Sequence, residues 1–121
     1  MEADLAEPIT STDSVAWTPF AIENSAGFEF KFGIIGSEYT DAYSVDLVRV
    51  APGGYSPRHV DPDNHAFYII SGTGEIAIGQ RTWQVGPGSV VKIPVKVVHS
   101  VKNVGADELL FLTIYDPPRK R

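Results

Sequence analysis

The 121-residue sequence predicts an all-β protein of the sandwich or barrel class. Three observations carry that prediction. Turn signals recur along the chain at intervals of roughly 8–12 residues. The segments between them are short and rich in β-branched and aromatic residues. No segment holds a 3.6-residue apolar period over three turns, which leaves no room for a helical layer.

The elements follow in order. Residues 1–15 read as an N-terminal arm, and residues 16–121 as one domain. Phe28, Phe30, Phe32 and Ile34 alternate with Glu29, Lys31 and Gly33, the period of two that a half-buried strand requires. Val45 to Val50 forms a second run and ends at Pro52-Gly53-Gly54. Asp61-Pro62-Asp63-Asn64 is a turn before the run Ala66 to Ile70. Gly72-Thr73-Gly74 separates it from Glu75 to Ile78, and Gly79-Gln80 precedes Thr82 to Val85. After Gly86-Pro87-Gly88 come Val90 to Ile93, Pro94, and a run from Val97 to Lys102. Asn103-Val104-Gly105 leads to the last run, Leu109 to Tyr115, which Pro117-Pro118 closes.

Composition narrows the function classes. At 43% hydrophobic and 21% charged residues the chain is too apolar for disorder, and its length supports one buried core. It has no cysteine, so disulfides, zinc–thiolate sites and cysteine nucleophiles are excluded. The N-terminus lacks a signal-peptide pattern, and no apolar run reaches the ~18 residues of a membrane span, so a cytoplasmic protein without membrane contact is expected. The net charge is −5, and basic residues are scattered apart from Arg119-Lys120-Arg121, which reads as a solvated tail. No nucleic-acid partner is expected, because that needs a basic stripe.

The three histidines are His59, His65 and His99. His59 and Asp61 stand two apart, so one strand end presents an imidazole and a carboxylate to the same side. The Pro62-Asp63-Asn64 turn reverses the chain, and His65 opens the next strand. His99 comes from a distant strand, which a curled sheet brings close.

These positions resemble the cupin family. Its first motif, G-x5-H-x-H-x3–4-E-x6-G, is matched in spacing by Gly53, His59, Asp61, His65 and Gly72. Its second, G-x5-P-x-G-x2-H-x3-N, is matched by Gly88, Pro94, Lys96, His99 and Asn103. Asp61 stands in place of a histidine, His65 in place of the glutamate, and Lys96 in place of a turn glycine. The first two exchanges swap one ligand type for another. The third suggests altered backbone geometry in that loop.

The resemblance implies a jelly-roll barrel, or double-stranded β-helix, of two antiparallel sheets. It also implies one divalent transition metal ion per chain, whether iron, manganese, zinc, nickel or copper, held by His59, His65, His99 and Asp61. Asp63 is the alternative carboxylate, and Asp61 is equally suited to a backbone-bonding turn. Tyr55, Phe67, Ile69, Trp83, Val101 and Phe111 are candidates for the barrel mouth, although core burial is their simpler reading. Arg49, in an otherwise apolar strand, either faces the cavity to hold an anionic substrate or lies on the outer surface, the second being favoured.

The function implied is that of a metal-dependent enzyme of dioxygenase, isomerase, lyase or cyclase type. Its substrate is a small oxygenated or carboxylate-bearing molecule that chelates the ion. The alternatives are a non-catalytic ligand-binding module and a 2-oxoglutarate-dependent oxygenase. The latter is disfavoured because no Arg or Lys lies between Asn103 and Pro118 to hold the cosubstrate. A two-fold homodimer is expected from open sheet edges, with Phe28, Phe30 and Phe32 as contributors.

Overall fold

The structure is a computed structural model that describes residues 8–120. Residues 1–7 of the expected arm and Arg121 lie outside the described residues. The strands are β1 (Thr18–Pro19), β2 (Ala26–Ile35), β3 (Ser44–Tyr55), β4 (Asn64–Ser71) and β5 (Gly74–Ile78). They continue as β6 (Arg81–Val85), β7 (Val90–Ile93), β8 (His99–Asn103) and β9 (Leu109–Asp116). A single 3-10 turn at Thr12–Ser14 is the one helical element among the described residues. Among the described residues no helix is long and apolar enough to cross a membrane.

All ladders are antiparallel, and the sheet runs β6-β5-β8-β3-β9-β4-β7, with β2 on β3 and β1 on β2. Strand β3 makes the sheet curl. Its first part pairs with β2 and β9 from Val45 to Val50. It passes Gly53, at φ +78°, and its end Tyr55 pairs with Lys102 on β8. The curl brings β5 and β8 over β3, β9, β4 and β7. Between them lies one core built from Phe30, Val48, Val50, Phe67, Ile69, Ile76, Val91, Ile93, Val101, Leu109 and Phe111.

Motif residues outside the histidines hold this shape. Gly72 has φ +90°, and a Cβ there would lie 2.4 Å from the Glu108 carbonyl oxygen, so only glycine fits the β4–β5 turn. Asn103 is buried at the end of β8. Its amide donates to the carbonyls of Val50 and Asp107, while its Oδ1 accepts from Gly105 N–H.

Several expectations need correction. The run expected from Val97 is a strand only from His99, because Val97 closes a turn on the Pro94 carbonyl. Lys96 keeps the left-handed conformation a glycine would take, at φ +66°, so the loop geometry is preserved rather than altered. Tyr55 and Trp83 are neither core nor mouth residues: they are 44% and 39% exposed, with Arg81 stacked over Trp83. Ile69 is wholly buried in the core. Phe30 is buried, Phe28 and Phe32 pack against the core, and Phe20 lies edge-on over Phe30 and Phe32. Phe28 and Phe32 are half-buried on this run. Arg49 is on the outer side as expected, paired with Glu29 at 3.0 Å and stacked on Trp17.

Candidate metal centre

Backbone pairing sets each site residue before its side chain is considered. His59 and His99 form an isolated bridge and exchange both N–H···O bonds, at 3.0 and 2.9 Å. Their imidazoles therefore lie side by side, with ring centroids 4.4 Å apart. His65, second in β4, is pinned on both sides, opposite Ile93 of β7 and Tyr115 of β9. Asp61 sits in the loop before β4, where its carbonyl accepts from Lys96 N–H at 3.3 Å.

The side chains converge. Asp61 Oδ2 lies 3.1 Å from His59 Nε2, 2.9 Å from His65 Nε2 and 3.1 Å from His99 Nε2. His99 and His65 are buried, and the site opens to solvent on the His59 side, where the imidazole is 32% exposed. Asp61 therefore contributes its side chain to the cluster as well as its backbone to the loop.

The hydrogen bonding of the rings bears on what the cluster could hold. His59 Nδ1 donates to the Pro57 carbonyl at 2.8 Å, and His99 Nδ1 to the Val97 carbonyl at 2.9 Å. With Nδ1 committed to a carbonyl, each ring turns Nε2 toward Asp61, where it is an N–H donor to the carboxylate in the protonated ring and a lone pair open to an ion in the neutral one. Asp61 Oδ2, His65 Nε2 and His99 Nε2 are buried and have no hydrogen-bond partner of good geometry among the described residues, despite their close approach. Buried polar atoms without partners are costly. Asp61 Oδ2 stands 2.9–3.1 Å from each imidazole Nε2, close to the separation of two donors flanking one ion at right angles with bonds of about 2.1 Å. Two groups that share Asp61 could hold a metal ion: His59, Asp61 and His99, and Asp61, Asp63 and His65.

Electrostatics follow from this crowding. Burial pushes the Asp61 carboxyl up, but the three imidazoles outweigh it and hold it far below the usual carboxylate range. The same carboxylate raises the His59 imidazole above its ordinary value, against the opposing effect of burial.

Arg119 completes the site and corrects the reading of the C-terminus as a solvated tail. Beyond Pro117-Pro118 the chain folds back, and Arg119 N–H donates to Ser44 Oγ. Its guanidinium binds Asp63 through two bonds of 2.8 and 3.0 Å, and Nη2 lies 3.0 Å from Asp61 Oδ1. It also stacks over Tyr115, 4.1 Å from the ring centroid. Burial lowers the Arg119 pKa, but Asp63 and the other nearby anionic groups raise it further, so the group stays charged. Asp63 is committed to this fork, which makes Asp61 the carboxylate of the histidine cluster. Nothing periodic in the sequence marks Arg119.

A cavity of about 90 Å³ adjoins the cluster. His59, Asp61, His65, His99 and Arg119 lie along it. Phe67, Val101 and Phe111 of the expected mouth residues line it, together with Phe28, Phe30 and Val48. Phe20, Ile22 and Ser25, from the segment after β1, also border it and were not anticipated.

This curled antiparallel sheet carries a histidine and carboxylate cluster whose residues could hold a metal ion. The chain belongs to the cupin family, whose cupin-domain model (Cupin_2) matches residues 46–115. It is 31% identical over 75 residues to an uncharacterized protein of Streptomyces coelicolor, covering 62% of this chain and 70% of that one. It is 33% identical over 75 residues to the oxalate decarboxylase OxdC of Bacillus subtilis, covering 57% of this chain. The match spans only 20% of the decarboxylase. A solved structure of that decarboxylase, a study of its Mn(II) centres, aligns with TM-score 0.70 and 24% identity over 82% of this chain and 28% of that one. The polyketide cyclase RemF of Streptomyces resistomycificus aligns with TM-score 0.84 and 19% identity, covering 96% of this chain and 83% of that one.

Proposed function

We propose that this cupin is a metal-dependent enzyme acting on a small oxygenated or carboxylate-bearing substrate. One divalent ion is held by His59, His65, His99 and Asp61. The observation that carries this reading is the set of buried atoms without hydrogen-bond partners, Asp61 Oδ2, His65 Nε2 and His99 Nε2, beside a cavity. A divalent ion bound there supplies Lewis acidity or redox chemistry to a ligand oxygen. Manganese is favoured among the candidate metals by the Mn(II) centres of the related decarboxylase.

The residues of the chain prepare the site in separable ways. The Pro57 and Val97 carbonyls fix the tautomers of His59 and His99. The Asp61 carboxylate offsets part of the ion's charge. Apolar walls exclude bulk water and strengthen the attraction of an anion to the cluster. The decarboxylase and cyclase relatives support an enzyme over a non-catalytic binder.

The test begins with metal analysis of protein purified without added metal. One divalent ion per chain is expected. His99→Ala removes the most buried imidazole of the cluster, and it should lose at least nine-tenths of the metal while remaining folded by circular dichroism. Full occupancy in that variant overturns the ligand set. A screen of the metal-loaded protein against small acids and diketones, with and without oxygen, should then find turnover that His99→Ala lacks.

A further inference from the structure

Thr113 lies on β9 with its side chain on the inner face, in the alternation Leu109, Phe111, Thr113, Tyr115. It is 1% exposed, lines the cavity, and its Oγ1 has no hydrogen-bond partner among the described residues. A buried hydroxyl of this kind costs stability, and valine would fill the same volume without that cost. The other small hydroxyls along the cavity are engaged. Ser56 Oγ accepts from Val101 N–H, and Ser25 Oγ donates to the Ile22 carbonyl. The cross-strand neighbours of Thr113 are Asp46 and Phe67, and Phe67 is itself part of the cavity wall.

We propose that Thr113 is a substrate-binding residue whose hydroxyl donates a hydrogen bond to a small carboxylate ligand, at an oxygen other than those of the carboxylate that meets the histidine cluster. The inference rests on the metal reading above and adds the recognition element. The ligand is anionic, because the loaded cluster and the charged Arg119 border the same space. It is small, because the cavity holds about 90 Å³. It carries a second oxygen, because the Thr113 hydroxyl is a buried donor without a protein partner among the apolar walls formed by Phe28, Phe30, Val48 and Phe111.

The experiment uses the full chain loaded with Mn(II), with oxalate and acetate as probes in calorimetric titrations. Oxalate has oxygens at a second carbon, and acetate does not. Thr113→Val should weaken oxalate roughly tenfold, the worth of one hydrogen bond, and leave acetate within about twofold. Thr113→Ser should keep oxalate affinity near wild type. The unfolding midpoint of ligand-free Thr113→Val should equal or exceed that of wild type. The inference is overturned by an unchanged oxalate affinity in Thr113→Val, by no oxalate binding in the wild type, or by equal losses for both probes. A midpoint several degrees below wild type also overturns it, because the hydroxyl would then be held by the protein. If wild type takes up no Mn(II), the metal reading fails together with this one. If it takes up Mn(II) and the titrations fail, this inference fails alone.

Discussion

The smallest scale that matters is one carboxylate with two differently used oxygens. Asp61 Oδ2 faces three imidazoles, and Oδ1 faces the Arg119 guanidinium. The guanidinium is itself fixed by two bonds to Asp63 and by stacking on Tyr115. Arg119 therefore orients Asp61, a positioning role that a planar fork performs and an ammonium does not. Arg119→Lys keeps the charge and removes the fork, and we predict a metal affinity lower by roughly tenfold, measured by competition with a chromogenic chelator. Arg119→Gln is a poorer probe, because it also removes a positive charge that repels the ion. Affinity equal to wild type in Arg119→Lys would show that Asp61 keeps its orientation unaided.

At the scale of elements, the loop from Pro94 to Val97 links the fold to the site. Its Lys96 N–H reaches the Asp61 carbonyl, and a turn with φ +66° at Lys96 makes that possible. A left-handed lysine costs about 1 kcal/mol, while glycine costs roughly 0.4–1 kcal/mol more than a larger residue through the entropy of the unfolded chain. The first slightly outweighs the second. Lys96→Gly should raise the unfolding midpoint by roughly 1–3 °C, and β-branched Lys96→Val should lower it, as followed by thermal denaturation. A drop in Lys96→Gly would mean that the lysine side chain makes a stabilising contact. Most strands were legible in the sequence, because alternation and turn residues report burial directly. Strand β1 was not, since two residues that include Pro19 give no alternation to read. Val97 misled because its apolar character suits a strand, while the turn around Lys96 decides its backbone. The four cluster residues were legible through their spacing. Arg119 was hidden because a chain reversal after β9 places it, and Thr113 because a lone threonine in an apolar run is ordinary.

At the scale of the whole molecule, metal binding and folding share the same protons. In the metal-free chain, the Asp61 carboxylate raises the His59 pKa above its ordinary value of about 6.5. That pairing stabilises the fold below pH of about 6.5, and the contribution disappears as pH rises through the folded pKa of His59. Asp61 acts in the opposite sense. Its carboxyl is held far below its ordinary value of 3.8, so its contribution is present above that pH and is lost progressively as acid is added. The metal-free fold therefore draws most from this cluster between about pH 4 and 6.5. An ion needs neutral imidazoles, so it competes with the proton on His59 and binds better as pH rises. The two effects add in the difference between loaded and stripped protein. We predict that the rise in unfolding midpoint caused by saturating Mn(II), relative to protein in EDTA, is larger at pH 8 than at pH 6, by at least a few degrees. The sign is what tests the cluster. An increment that shrinks with rising pH would place the ion away from these imidazoles, because only a site without titrating histidines escapes the proton competition.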